Sequence, residues 1–339
     1  RDAVQGSGDA YYCWEGAYVW EALTANNGGV IDPWLAKSWE HNDDCTEWTF
    51  NLRDDAYFTD GVQFNADVCL KNIERWGHGI TSTYTTRSIE KSLPNLDKME
   101  KVDDFTVKFT FTQPITTLEY VLSDYGSPMY SPNCFDEETG VISDYAIGTG
   151  PYKIAENDDT TQVVLVKNED YHGGEVNLDE LDIIFYDDDQ TKLIAYENGD
   201  IDLADLNASL LSQYETNYAD EITAYHPLGT SFISMNLKDQ YLSDVNVRKA
   251  ISLAINREEL VSAVLNGAGI PATSYLNNGI PGHDDSLSVY EYDPEQAKAL
   301  LAEAGYADGF TINAEVRPAD QAVFSAIQGY LAEVGINME

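Results

Sequence analysis

Gly148-Thr149-Gly150-Pro151 divides the sequence into two rhythms, and that division constrains the fold more than any other local feature. Two closely spaced glycines let a backbone pass tight against another segment, and Pro151 sets the direction of the strand that follows. Upstream, Glu47 to Leu52 and Phe105 to Phe111 alternate apolar and polar residues with β-branched and aromatic enrichment, the pattern of half-buried strands. Between them, Val68, Ile73 and Trp76 follow the capping residues Asn65 and Asp67 and precede Gly77, which predicts a helix. With turns at Thr59-Asp60-Gly61 and Gln113-Pro114, the stretch from Trp34 to Tyr145 reads as an antiparallel α+β unit.

Downstream, strands at Gln162 to Lys167 and Leu181 to Tyr186 precede a helix near Thr191 to Asn198, which Gly199 closes as a left-handed cap. Further strands around Ile201 to Leu203 and Ser231 to Asn236 imply an α/β sheet that the earlier unit interrupts as an insertion. Val247, Ala250, Ile251 and Ala254 recur at helical spacing, and Asn256 with Glu259 makes a capping-box-like restart that Gly267 ends. Asp293, Pro294 and Gly305 bracket a short amphipathic helix through Ala297, Leu300, Leu301 and Ala304. A strand from Phe310 to Val316 and a helix from Gln321 to Val334 follow, and Gly335 to Glu339 reads as the entrance to another strand, so the chain is expected to continue.

At 339 residues the chain exceeds what one hydrophobic core usually serves, and two or more lobes are expected. The formal charge of −40, from 59 acidic against 19 basic side chains, repels phosphate backbones and anionic lipid, which excludes nucleic acid as a partner. The longest apolar runs, such as Val163 to Val166, fall far short of a membrane span, and since no leader pattern follows Arg1, any export signal is expected to lie outside the sequence.

Cys13, Cys45, Cys69 and Cys134 have no metal-site or framework spacing; a Cys13–Cys45 disulfide is left open. His41, His78, His172, His226 and His283 are scattered and read as surface or loop histidines, so no metal site is assigned. There is no G-x-S-x-G elbow and no phosphate-binding loop, and Gly148 to Gly150 is too short for one. A glycoside hydrolase is the enzymatic alternative, resting only on abundant carboxylates beside Trp and Tyr. With 59 acidic residues a facing pair is expected by chance, so no catalytic residue and no cofactor are assigned.

An ordered series carries a more specific signal. Trp34-Leu35-Ala36-Lys37-Ser38-Trp39 is followed by Trp48 to Arg53, Phe58 to Gly61, Phe64 to Val68 and Glu74-Arg75. Gly148 to Tyr152, Asn168 to Tyr171 with Gly173-Gly174, Gly199 to Asp202, Ser243 to Arg248 through Ala254 to Arg257, and Asp293 to Gly305 continue it. This series closely resembles the peptide/nickel-binding family (family 5) of extracellular solute-binding proteins of ABC transporters, across nearly the whole chain. Most of it marks the fold: Asp60-Gly61 suits a hairpin-type turn, Trp39 and Trp48 a core, Gly199 a helix cap.

The resemblance implies an α/β, periplasmic-binding-protein-like fold (type II, cluster C) of two lobes. Residues 1–33 and 146–240 would form the first-lobe core, 34–145 an inserted α+β subdomain, and 241–339 the start of an incomplete second lobe. It further implies capture of a short peptide in the interlobe cleft, hinge closure, and delivery to the transmembrane permease, with no chemistry on the ligand. A monomer is expected, either periplasmic or lipid-anchored on the extracellular face of the cytoplasmic membrane.

Family members run past this endpoint, so much of the ligand-facing surface is expected outside the sequence. Within it, Gly8 to Trp14 matches the cleft-edge segment, and Tyr11, Tyr12 and Trp14 offer flat faces with polar handles. Tyr125 and Ser127, with Thr230, Ser231 and Phe232, fall where the family's chain nears or crosses the hinge. The alternative within the family is nickel or a nickel chelate, for which Trp34 to Trp39 and Leu52 to Asp55 are similar to nickel-binding members. Against it, Tyr125 to Pro128 lacks the arginine of that pocket and Arg87 is only a loose substitute. A sugar or opine ligand also stays open.

Overall fold

A computed structural model describes residues 18–77, 88–124, 127–136, 138–142, 147–158, 161–206, 210–223, 229–277, 280, 282–284, 286–287, 291–317 and 320–339. Its contacts divide the chain between Phe185 and Tyr186 into two units.

In the first unit, a short hairpin of β1 (Thr24–Asn27) and β2 (Val30–Pro33) leads into β3 (Ala36–His41) and β4 (Glu47–Leu52). Helix α1 (Ala66–Glu74) and the short α2 (Ile89–Ser92) precede β5 (Leu96–Asp103) and β6 (Thr106–Phe111). The four longer strands form an antiparallel sheet in the order β3-β4-β6-β5, with Trp39 opposite Phe50 and Phe50 opposite Val107. Period-two alternation decides which face is inside. Trp48, Phe50 and Leu52 of β4 and Val107, Phe109 and Phe111 of β6 are buried on one face. Val68, Cys69 and Ile73 of α1 join the same core. Burying such apolar side chains contributes about 1.5–3 kcal/mol each. The helix begins where expected because the Asn65 side chain accepts from the Val68 N–H at 3.0 Å, and Trp76 is buried in the single 3₁₀ turn that follows.

After the short α3 (Leu118–Val121), strands β7 (Tyr152–Asp158), β8 (Gln162–Lys167) and β9 (Glu180–Ile184) form a three-stranded antiparallel sheet. Val163 and Leu165 pack with Val19, Trp20, Tyr130 and Tyr152 into a second core. The tight crossing expected at Gly148 to Gly150 is present. A Cβ on Gly148 would lie 1.9 Å from the Val19 carbonyl oxygen, and one on Gly150 2.6 Å from that of Tyr18. Only glycine admits that approach.

The second unit starts with α4 (Asp189–Asn198), capped by Asp188 and closed by Gly199 at φ +76°, and continues with α5 (Leu211–Tyr218). Helices α6 (Val245–Ala254) and α7 (Arg257–Ala263) follow, then α8 (Pro294–Glu303), β10 (Phe310–Ile312), α9 (Gln321–Glu333) and β11 (Ile336–Met338). Strands β10 and β11 pair in parallel, Phe310 opposite Ile336. The apolar stripe of α6 packs with Ala297 and Leu301 of α8, Ile327 and Leu331 of α9, and Ile336 of β11.

Two expected strands did not form. Ile201 to Leu203 and Ser231 to Asn236 carry no strand, and Leu203 is 87% exposed. A strand requires a ladder partner for its backbone groups, and among the described residues neither segment has one. Cys45, Cys69 and Cys134 are free thiols, and burial raises the Cys69 thiol far above its ordinary value. Cys13, the partner considered for Cys45, lies outside the described residues.

Candidate functional site

A buried polar group of the first unit is centred on Glu21, 1% exposed, three residues before β1. A carboxylate removed from water is tolerated only when its lone pairs are met, and here three side chains from two separate segments meet them. The Thr149 hydroxyl donates to Glu21 Oε2 at 2.7 Å, and the Tyr171 hydroxyl donates to Oε1 at 3.1 Å. His172 Nε2 lies 2.6 Å from Oε2. Because a carboxylate only accepts, Nε2 carries the hydrogen in this contact. His172 Nδ1 is buried with no hydrogen-bond partner.

Burial, then the neighbouring Glu21 charge and its hydrogen bond, push the Tyr171 phenol up to about 12. Around the rim, Arg53 grips Asp55 through two parallel hydrogen bonds, Nε to Oδ1 at 2.9 Å and a terminal nitrogen to Oδ2 at 2.8 Å. That grip holds the Asp55 carboxyl below its ordinary range. The same guanidinium donates to the His172 carbonyl at 3.4 Å. Behind the hub, the Asn168 side chain donates to the Gly150 carbonyl at 3.0 Å, which fastens the glycine crossing to the turn that carries Tyr171.

This hub ties Glu21 to the segments that carry Thr149 and Tyr171-His172. The motif series contained Thr149 and Tyr171 but gave no sign that both converge on Glu21. His172, read from sequence as a surface or loop histidine, is instead a buried partner with a side chain 3% exposed. Its neighbourhood is set by chain crossings more than a hundred residues apart in sequence, which local pattern does not encode.

Of the residues expected to face a ligand, Tyr11, Tyr12, Trp14 and Tyr125 lie outside the described residues, as does Arg87. Ser127, in the first unit, is fully buried; its hydroxyl donates to the Val121 carbonyl at 2.6 Å and its N–H to that of Asp124 at 2.8 Å. That hydroxyl proton is therefore engaged by the backbone six residues upstream. Thr230, Ser231 and Phe232 belong to the second unit, where Ser231 and Phe232 are exposed and the Thr230 hydroxyl is shielded from solvent with no partner. Among the described residues, no group of three or more His, Cys, Asp or Glu side chains is placed to hold a metal ion. No described helix is long and apolar enough to cross a membrane.

The arrangement of sheets and helices is that of a periplasmic binding protein. It superposes over 100% of this chain and 70% of the other, with a TM-score of 0.85 and 25% identity, on the ABC transporter-associated periplasmic binding protein DppA of Helicobacter pylori, solved in complex with the peptide STSA. The chain belongs to the bacterial extracellular solute-binding proteins, family 5, whose middle-segment profile matches residues 30–339. Among curated relatives, heme-binding protein A of Haemophilus influenzae is 30% identical over 307 residues, covering 85% of this chain and 56% of that protein. The nickel-binding periplasmic protein of Escherichia coli is 27% identical over 293 residues, covering 82% and 54%. The chain thus spans about half the length of these curated relatives.

Proposed function

We propose that the protein is the solute-binding component of an ABC importer, capturing short peptides in a cleft between two lobes and handing them to the transmembrane permease without chemical change. The observation that carries this reading is the whole-chain likeness to a periplasmic binding protein solved with a peptide bound. In the same reading, residues 1–33 and 146–240 build the first-lobe core, 34–145 the inserted subdomain, and 241–339 belong to the second lobe. The protein works as a monomer in the periplasm or lipid-anchored on the extracellular face of the membrane.

Tyr11, Tyr12 and Trp14 are the proposed contacts on the cleft edge, and the Glu21 hub supplies the rigid base a few residues downstream. Preorganisation of this kind lowers the entropy lost on capture. Tyr125, Ser127, Thr230, Ser231 and Phe232 are the further proposed contacts. A peptide would be held largely through its main-chain groups, with side chains in hydrated pockets.

A nickel chelate is the second reading, favoured by the nickel-binding relative. Calorimetry and thermal shift separate the two, using the purified protein first with a pool of random tripeptides and then with nickel plus histidine. The peptide reading expects heat and a raised melting temperature with the pool alone. Binding that requires nickel overturns it in favour of the chelate, and silence with both removes peptide and nickel together.

A further inference from the structure

Among the described residues of the second unit, three aromatic pairs lie outside the mutually packed Tyr241, Tyr306 and Phe310, and they differ in what surrounds them. Tyr196 and Tyr218 sit against Glu221 and Glu197, and Tyr330, paired with Tyr292, against Glu259, so these phenols have carboxylate neighbours. The third pair is more open. Phe232 is 64% exposed and Tyr275 70%, with ring centroids 5.4 Å apart and planes tilted by 59°.

This third pair is held by its backbone. The Asn277 side chain donates to the Gly229 carbonyl at 3.3 Å, tying together the two segments that carry the rings. The Tyr275 loop is braced by Ser274, whose hydroxyl donates to the Leu276 carbonyl at 2.5 Å, and by His283 Nδ1 on the same carbonyl at 2.7 Å. Single exposed apolar side chains are ordinary. Two rings fixed at a tilt, with a shielded hydroxyl that lacks a partner, that of Thr230, two residues before Phe232, are a different matter, because an unmet buried polar atom is expected to find a partner in the working state. Aromatic rings rotate about only two side-chain bonds, so ordering them on a ligand costs little.

We propose that Phe232 and Tyr275 form a platform for a flat, apolar side group of the captured ligand, with the Thr230 hydroxyl meeting a polar atom next to that group. The inference rests on the reading of Thr230 to Phe232 as ligand-facing. It adds Tyr275, which no sequence motif marked, and it gives the ligand class a preference: a peptide with an aromatic or large apolar side chain. An acidic side chain would be opposed by the net charge of −40.

The test compares Ala-Ala-Ala with Ala-Phe-Ala by calorimetry on the unaltered protein, Phe232→Ala and Tyr275→Ala. The unaltered protein should favour the Phe peptide by about tenfold. Each substitution should shrink that preference to within about twofold while leaving the melting temperature in place. Equal affinity for both peptides in the unaltered protein, or a preference that survives both substitutions, overturns the platform. Should neither tripeptide bind, saturation-transfer NMR with N-acetylphenylalaninamide decides separately. A signal lost in both variants sustains the platform while the peptide reading falls; no signal, or one that both variants retain, overturns the platform.

Discussion

The Glu21 hub and the Phe232–Tyr275 pair are both polar-aromatic groups built from distant segments, yet one is shut and the other open. Around Glu21 both carboxylate oxygens are occupied, and Thr149, Tyr171 and His172 spend their hydrogens on them. Around Phe232 and Tyr275 the rings present more than half their surface to solvent and Thr230 lacks a partner. A group whose hydrogen bonds are met internally, as all but that of His172 Nδ1 are here, can stiffen a fold but keeps little for a ligand. An unsatisfied, pre-ordered group adds little to stability and keeps its capacity for binding.

That contrast predicts opposite responses to substitution. Glu21→Ala should be the most damaging change, costing about 3–5 kcal/mol in denaturant unfolding, because it strands a buried imidazole and two hydroxyls. A loss under 1 kcal/mol would show that the hub is wet and relaxed rather than shut. Gly148→Ala should come next, at about 1–3 kcal/mol, since the new methyl meets the Val19 carbonyl and one of the two backbones must shift.

Tyr171→Phe should act mainly in alkali. The folded-state phenol is raised to about 12, above the ordinary value near 10. The stability it contributes is therefore complete below about pH 10 and is lost as pH rises toward 12. Alkaline unfolding followed by circular dichroism should be steeper with Tyr171 than with Phe; identical alkaline limbs would remove Tyr171 from the buried hub. The smallest effect belongs to the open pair. Phe232→Ala and Tyr275→Ala should each leave unfolding stability within about 0.5 kcal/mol, and a larger loss would mean that the rings support the fold.

Sequence reading located the local elements well because their signals are local. Asn65, Asp188, Asn256 and Asp293 each accept from a backbone N–H three residues on at the start of α1, α4, α7 and α8, and Gly199 ends α4 in the left-handed region. Strands β4 and β8 fall within the limits that alternation set. Ile201 to Leu203 and Ser231 to Asn236 have strand-like composition but no strand, because a ladder needs a second segment that composition does not supply. The motif series was enough to point to the family, whose profile then matched residues 30–339. The hub and the open pair were not legible in it, for Glu21 and His172 stand 151 positions apart, and nothing in the immediate neighbourhood of either names the other.

Capping, turn chemistry and hydrophobic period were thus determined by the sequence alone, since each depends on residues within a few positions of one another. Which carboxylate is buried and satisfied, which histidine is enclosed, and which rings stay open were decided only by the tertiary structure, because burial and hydrogen-bond satisfaction belong to the chain crossings that bring remote segments together.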